Sequence, residues 1–212
     1  MALKTTTGAL ALLATLAGCG KLEKLIPGVS DLTGGEAGGQ LAPIGNVSRA
    51  AIEKSGGPVM KLRVPSRGIE TFLTIRDRRG DVTQWFSADG MLFSFRGDIL
   101  IETRGLGADL MSSAAPQAGQ IASGGAYRRS YFYMDADDQT GRRDYNCVTT
   151  TDGSETVTIY GRGHSTRKIS ETCEREGGRL TNHYWLEGGK VRKSREWVSP
   201  GIGQIEFERV VD

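Results

Sequence analysis

Three carboxylates occupy positions where acid–base chemistry is conceivable. Asp109 lies in Gly105-Leu106-Gly107-Ala108-Asp109-Leu110, Glu171 in Ile169-Ser170-Glu171-Thr172, and Glu196 in Arg195-Glu196-Trp197. Two such groups about 5 to 10 Å apart across a cleft would suit glycoside hydrolysis. Spacing along the chain does not set that separation. The same residues also have a structural reading: Asp109 caps a turn through backbone amides, and Glu171 and Glu196 pair with basic neighbours. His164 and His183 stand at no metal-ligand spacing. No Gly-x-Ser-x-Gly elbow, phosphate loop or dinucleotide fingerprint occurs. The expectation is no catalytic residue, no metal and no cofactor. A binding role has better material. Trp85, Trp185 and Trp197, with Tyr131, Tyr133 and Tyr184, could stack on sugar rings, or could equally fill a small β core. Lys190, Arg192, Lys193 and Arg195 could meet an anionic polymer, although alternation along a strand divides them between two faces. Trp85, Asp109, Trp185, Arg195 and Trp197 are therefore the candidate contacts to a glycan or a partner.

The cysteines carry the most specific chemistry. Lys4 precedes a nearly apolar run, Ala9 to Ala17, which is too short to span a bilayer and suits a secretory signal. It ends in Leu16-Ala17-Gly18-Cys19, which resembles the lipobox of bacterial lipoproteins. The resemblance implies cleavage before Cys19, a diacylglycerol on its sulfur and an acylated amine, palmitate being a typical chain. Three acyl chains anchor far more firmly than one, at about 0.8 kcal/mol per buried CH₂. Gly20 resembles the class sorted to the outer membrane. An ordinary signal with a chance cysteine is the alternative. With Cys19 acylated, Cys147 and Cys173 remain as an even pair in an oxidising compartment. A disulfide between them closes a loop of about 27 residues, worth roughly 3–4 kcal/mol in the chain-entropy model. Two separate buried thiols are the other reading.

These groups need a scaffold. Of 212 residues, 38% are hydrophobic and 25% charged, enough to bury a core. A formal net charge of +2 gives no drive toward nucleic acid. Residues 1–18 form the signal peptide, and 19–45 the lipidated cysteine and a flexible tether rich in glycine and small residues. About 26 such residues span roughly 30 Å on a ~5–6 Å × √n scale. Residues 46–212 form the folded body. Asn46 or Ser48 caps a short helix to about Ser55, stopped by Gly56-Gly57-Pro58. Strands and tight turns follow. Asp89-Gly90 signals a two-residue hairpin, and Met91, Phe93 and Phe95 alternate with polar or outward positions. The segments 144–151 and 155–160 read as successive strands. The fold class is all-β: a strongly curved antiparallel meander or half-barrel of about ten strands with one short helix, a two-sheet sandwich being the alternative. Free sheet edges could accept a partner strand.

Residues 85–111 (WFSADGMLFSFRGDILIETRGLGADLM), the run Thr166 to Cys173, Asn182-His183-Tyr184-Trp185, and Ser194 to Gly203 (SREWVSPGIG) occur in a fixed order. Together they resemble the YjbF/GfcB family of capsule and exopolysaccharide lipoproteins, over most of 46–212. The resemblance implies an outer-membrane lipoprotein of polysaccharide secretion, facing the periplasm, with a wrapped antiparallel sheet and no catalytic residues to carry over. Related proteins commonly have Gln where this chain has Glu196. The expected role is non-enzymatic support of exopolysaccharide or capsule secretion or assembly. Its partners would be the membrane through lipid, and exopolysaccharide or other export components. The alternative is a polysaccharide-binding or polysaccharide-modifying envelope protein.

Overall fold

A computed structural model describes residues 47–134 and 139–212. The expected signal peptide, Cys19 and tether lie outside the described residues. Helix α1 (Arg49–Lys54) starts where the Ser48 hydroxyl accepts the Ala51 N–H, one of the two caps expected. Six residues make too few internal bonds to hold a helix in water. Its stability comes from Ile52, buried against Val59, Phe72, Ile159 and Val210.

Alternation then runs through β1 (Val59–Val64), β2 (Ile69–Arg79), β3 (Val82–Phe86), β4 (Leu92–Arg96) and β5 (Ile99–Arg104). A three-residue strand β6 (Ser112–Ala114) and helix α2 (Ala118–Ser123) lead to β7 (Gly125–Met134). β8 (Thr140–Ile159), β9 (Arg162–Arg175), β10 (Gly178–Glu187), β11 (Lys190–Ser199) and β12 (Gly203–Val211) complete the chain. All pairings are antiparallel, in the order β5-β4-β3-β2-β1-β12-β11-β10-β9-β8-β7-β6. Twelve twisted strands do not stay flat, so the sheet curls into a nearly closed barrel. Its outer strands meet at a seam. There the Thr103 N–H donates to the Leu110 carbonyl (2.9 Å), and the Met111 N–H to the Phe132 carbonyl (2.9 Å).

Three details differ from the sequence expectation. Residues 144–151 and 155–160 belong to one strand, β8, which passes through an irregularity between Thr151 and Gly153. Asp89-Gly90 does turn the chain, but within a longer loop. Ser87 and Met91 face each other across it, the Ser87 N–H donating to the Met91 carbonyl (3.0 Å). Gly90, at φ 88°, supplies the left-handed residue that returns the chain. Helix α2 was not expected, because it has neither a capping side chain nor a charged turn to announce it. It forms by plugging one end of the barrel, with Ile121 against Ile99, Ile169, Leu186 and Val191.

The barrel interior is filled by Leu62, Leu73, Trp85, Phe93, Phe95, Leu110, Tyr131, Val198, Ile205 and Phe207. Cys147 and Cys173 stand directly opposite on β8 and β9 and are joined by a disulfide, at a Cα–Cα distance of 4.0 Å. Antiparallel connectivity puts the β1–β2, β5–β6, β7–β8 and β11–β12 connections at one end. Helix α1, the β8–β9 turn and the C-terminus lie at the other.

Candidate functional site

A charged cluster inside the barrel gathers two of the three carboxylates. Alternation decides which way they face. Glu171 shares its face of β9 with Ile169 and Cys173, and Glu196 shares its face of β11 with Ser194 and Val198. Both are wholly buried. Arg129 of β7 lies among them, its Nη1 donating to Glu171 Oε2 (2.7 Å) and to the Tyr184 hydroxyl (3.0 Å). Glu171 also accepts from the Tyr127 hydroxyl (2.7 Å), Asn182 Nδ2 (2.6 Å) and the Tyr184 hydroxyl (3.1 Å). Four buried polar side chains and the half-buried Tyr127 therefore satisfy one another, which is the condition for burying charge at all.

The cluster also mends the seam. Strand β5 pairs with β4 on one side and has no ladder partner on its outer edge beside Leu100. The Leu100 N–H donates to Glu196 Oε2 (3.2 Å), and its carbonyl accepts from Arg129 Nη2 (3.3 Å). Side chains of β7 and β11 thus replace a missing strand. The charges do not balance: one guanidinium faces two carboxylates, and Glu196 Oε1 has no hydrogen-bond partner. Burial pushes the Glu196 carboxyl up to about 7, against the pull of Arg129. Burial opposes the charge on Arg129, but Glu171 and the surrounding groups outweigh it and hold its pKa well above the ordinary value.

Asp109 lies elsewhere, at the barrel mouth. Its Oδ1 accepts from the Thr103 hydroxyl (2.7 Å), and its oxygens accept the Gly105 and Leu106 amides at 3.0 and 3.2 Å. It shapes the loop that crosses the seam. That loop packs on the β11–β12 turn, where the Ser199 hydroxyl donates to the Ala108 carbonyl. A Cβ at Gly201 would come within 2.7 Å of the Ala108 Cβ, so only glycine fits there unless something shifts. Two motifs far apart in sequence, Gly105–Leu110 and Ser199–Gly203, thereby meet. Between them and the end of β7 lies a cavity of about 250 Å³, lined by Arg104, Asp109, Tyr133, Arg143 and Ser199 among others. The Trp197 indole N–H donates to the Tyr133 hydroxyl (3.2 Å) at its base, and Arg143 lies 5.0 Å from the Tyr133 ring centre.

The structure does not bring the five candidate contacts together. Trp85 is 2% exposed in the core, so its ring offers no face to an external sugar. Trp185 faces outward but is covered: Glu155 accepts its indole N–H, and Lys168 and Lys193 lie 5.4 and 5.6 Å from the ring centre. Asp109 lines the mouth cavity, and Trp197 is tied to it through its hydrogen bond to Tyr133. Arg195 lies on the outer face, bound to Glu206. Neither histidine is near the other's partners: His164 Nδ1 meets Glu187 (3.0 Å), and His183 Nδ1 meets the Ser170 hydroxyl (2.9 Å). Cys147, Glu171 and Cys173 approach one another, but the sulfurs are joined and the carboxylate is fully engaged. Arg129 is the residue that sequence reading missed. It shares its face of β7 with Tyr127, Tyr131 and Tyr133, an inward set that would have flagged a buried cation.

A seamed, all-β antiparallel barrel with a filled interior is the class of protein that fold and site define. A solved structure shares it: the hypothetical lipoprotein YmcC from Escherichia coli (K12) superposes with a TM-score of 0.67 at 21% identity, covering 78% of this chain and 89% of that one. Residues 43–210 match the family described as group 4 capsule polysaccharide lipoprotein GfcB, YjbF, and the chain belongs to that family. No curated protein matches it.

Proposed function

We propose that the chain is a non-enzymatic lipoprotein, held by acyl chains on Cys19 in the outer membrane and facing the periplasm. There it supports secretion or assembly of exopolysaccharide or capsule. The observation that carries this reading is the family match over 43–210, with Leu16-Ala17-Gly18-Cys19 upstream of it. Geometry supports the non-enzymatic part. Glu171 and Glu196 are sealed inside a filled barrel and brace its seam, and both Asp109 oxygens are engaged in shaping a loop. None of the three pairs with another across an open cleft, as glycoside hydrolysis needs.

The test is genetic. Deletion should lower the secreted polysaccharide, and unchanged secretion removes the role. Asp109→Asn, Glu171→Gln and Glu196→Gln should each restore export if they accumulate as folded protein. A folded variant that fails to restore it points to carboxylate chemistry. Cys19→Ala should leave the protein unprocessed or soluble; a mature, membrane-bound variant refutes the anchor.

A further inference from the structure

On the outer face beside the β11–β12 turn is an open groove of about 400 Å³, and its charges are unequal. Its walls carry Arg63 of β1 and Arg195 of β11, its floor Pro65 and Ile202, with Gln204 and Glu206 of β12 between. Glu206 is the organising group. Its side chain is 9% exposed and holds both cations: Arg195 Nε and Nη2 reach Oε1 at 3.0 and 2.5 Å, and Arg63 Nη1 lies 3.6 Å from Oε2. Burial opposes the charge on Glu206, but Arg195, Lys193 and Arg63 hold its pKa below the ordinary range. One carboxylate thus aligns two guanidinium groups and cannot neutralise both. Lys193, also near Glu206 at 4.0 Å, has Glu208 as its closer partner at 2.9 Å.

The guanidinium groups remain reachable, at 54% exposure for Arg63 and 43% for Arg195. Among the described residues the Arg63 side chain makes no hydrogen bond, and Arg195 Nη1 is unused. A guanidinium fork with spare donors matches a carboxylate in both charge and geometry. Pro65, exposed beside the two arginines, adds an apolar surface, as the face of a sugar ring requires. Gln204 gives its amide N–H to the Thr181 carbonyl, so its oxygen is left to accept from a hydroxyl.

We propose that this groove, with Arg63 and Arg195 held side by side by Glu206, binds a carboxylate-bearing sugar of an acidic polysaccharide. The inference deepens the proposed role and rests on it for the polymer class. It places the contact at the barrel end opposite α1, where the chain leading to the anchor enters.

The probe is oligogalacturonate, with its methyl ester as the uncharged counterpart, titrated against the purified lipidated protein in detergent at low ionic strength. The acid should bind and the ester should not, and added salt should weaken binding. Arg63→Gln should weaken it, and Arg63→Gln with Arg195→Gln should reduce affinity about tenfold or more, the scale of one charge-assisted pair. Arg142→Gln, an exposed arginine on β8, should leave it unchanged. Arg63 touches Glu206 only at 3.6 Å, so its single variant keeps the fold even if the double variant does not. Absence of binding, equal binding of acid and ester, an unaffected Arg63→Gln protein, or equal loss in Arg142→Gln overturns the proposal. The secretion role is judged separately, by the deletion.

Discussion

Glu196 ties protonation to stability. Its carboxyl titrates near 7 in the folded barrel and near 4.5 when unfolded. Between those values the folded state binds more protons, so its stability falls as pH rises from about 4.5 through 7 and levels off above. The difference corresponds to about 3 kcal/mol. Glu196→Gln keeps an oxygen for the Leu100 amide but has no proton to lose. Urea unfolding across pH 4 to 8 should show wild type losing stability relative to the variant over that window, by about 3 kcal/mol in all. Parallel profiles would disprove the buried titration. Alternation with Ser194 and Val198 made the inward direction of Glu196 readable in the sequence. Its partner was not, because Arg129 lies 67 positions away and reaches it only once the barrel curls.

At the scale of elements, α1 and the β8–β9 hairpin hold each other in place. Arg49 Nη1 donates to the Ile159 and Tyr160 carbonyls (3.0 and 3.3 Å), and Nη2 to the Val210 carbonyl (2.8 Å). The turn includes Tyr160 at φ 49°, a conformation that side chains with a Cβ seldom adopt. Its ring packs edge-on against Phe72, with centroids 5.5 Å apart. Arg49→Met should keep the aliphatic stem but release three carbonyls, at a cost of about 1–3 kcal/mol. Amide exchange should accelerate around 157–162 and leave β11 protected. Uniform acceleration would mean that α1 supports the whole barrel rather than this hairpin. Neither contact was visible in sequence, since the cap at Ser48 shows where a helix starts and not what it rests on.

For the whole molecule, the disulfide is the covalent brace of the β8–β9 pair, the longest hairpin in the sheet. Replacing both Cys147 and Cys173 by Ala should lower unfolding free energy by roughly 3–4 kcal/mol while the circular dichroism spectrum stays β-rich. An unaltered denaturation midpoint would show that β8–β9 packing suffices alone. The barrel also has two distinct ends, with α1 at one and the arginine-lined cavity and groove at the other.

The sequence by itself determined the all-β class, most of the turns and the capped first helix, and it offered the pairing of Cys147 with Cys173 as one of two readings, which the register of β8 and β9 then decided. These follow from period-two alternation, turn chemistry and cysteine parity, all of which act over short stretches or by counting. Tertiary structure alone decided that β5 closes on the β6–β7 edge and that Arg129 meets Glu171 and Glu196. It also set Arg63 beside Arg195. Alternation says which face a side chain takes, but sheet curvature decides which distant strand stands across from it.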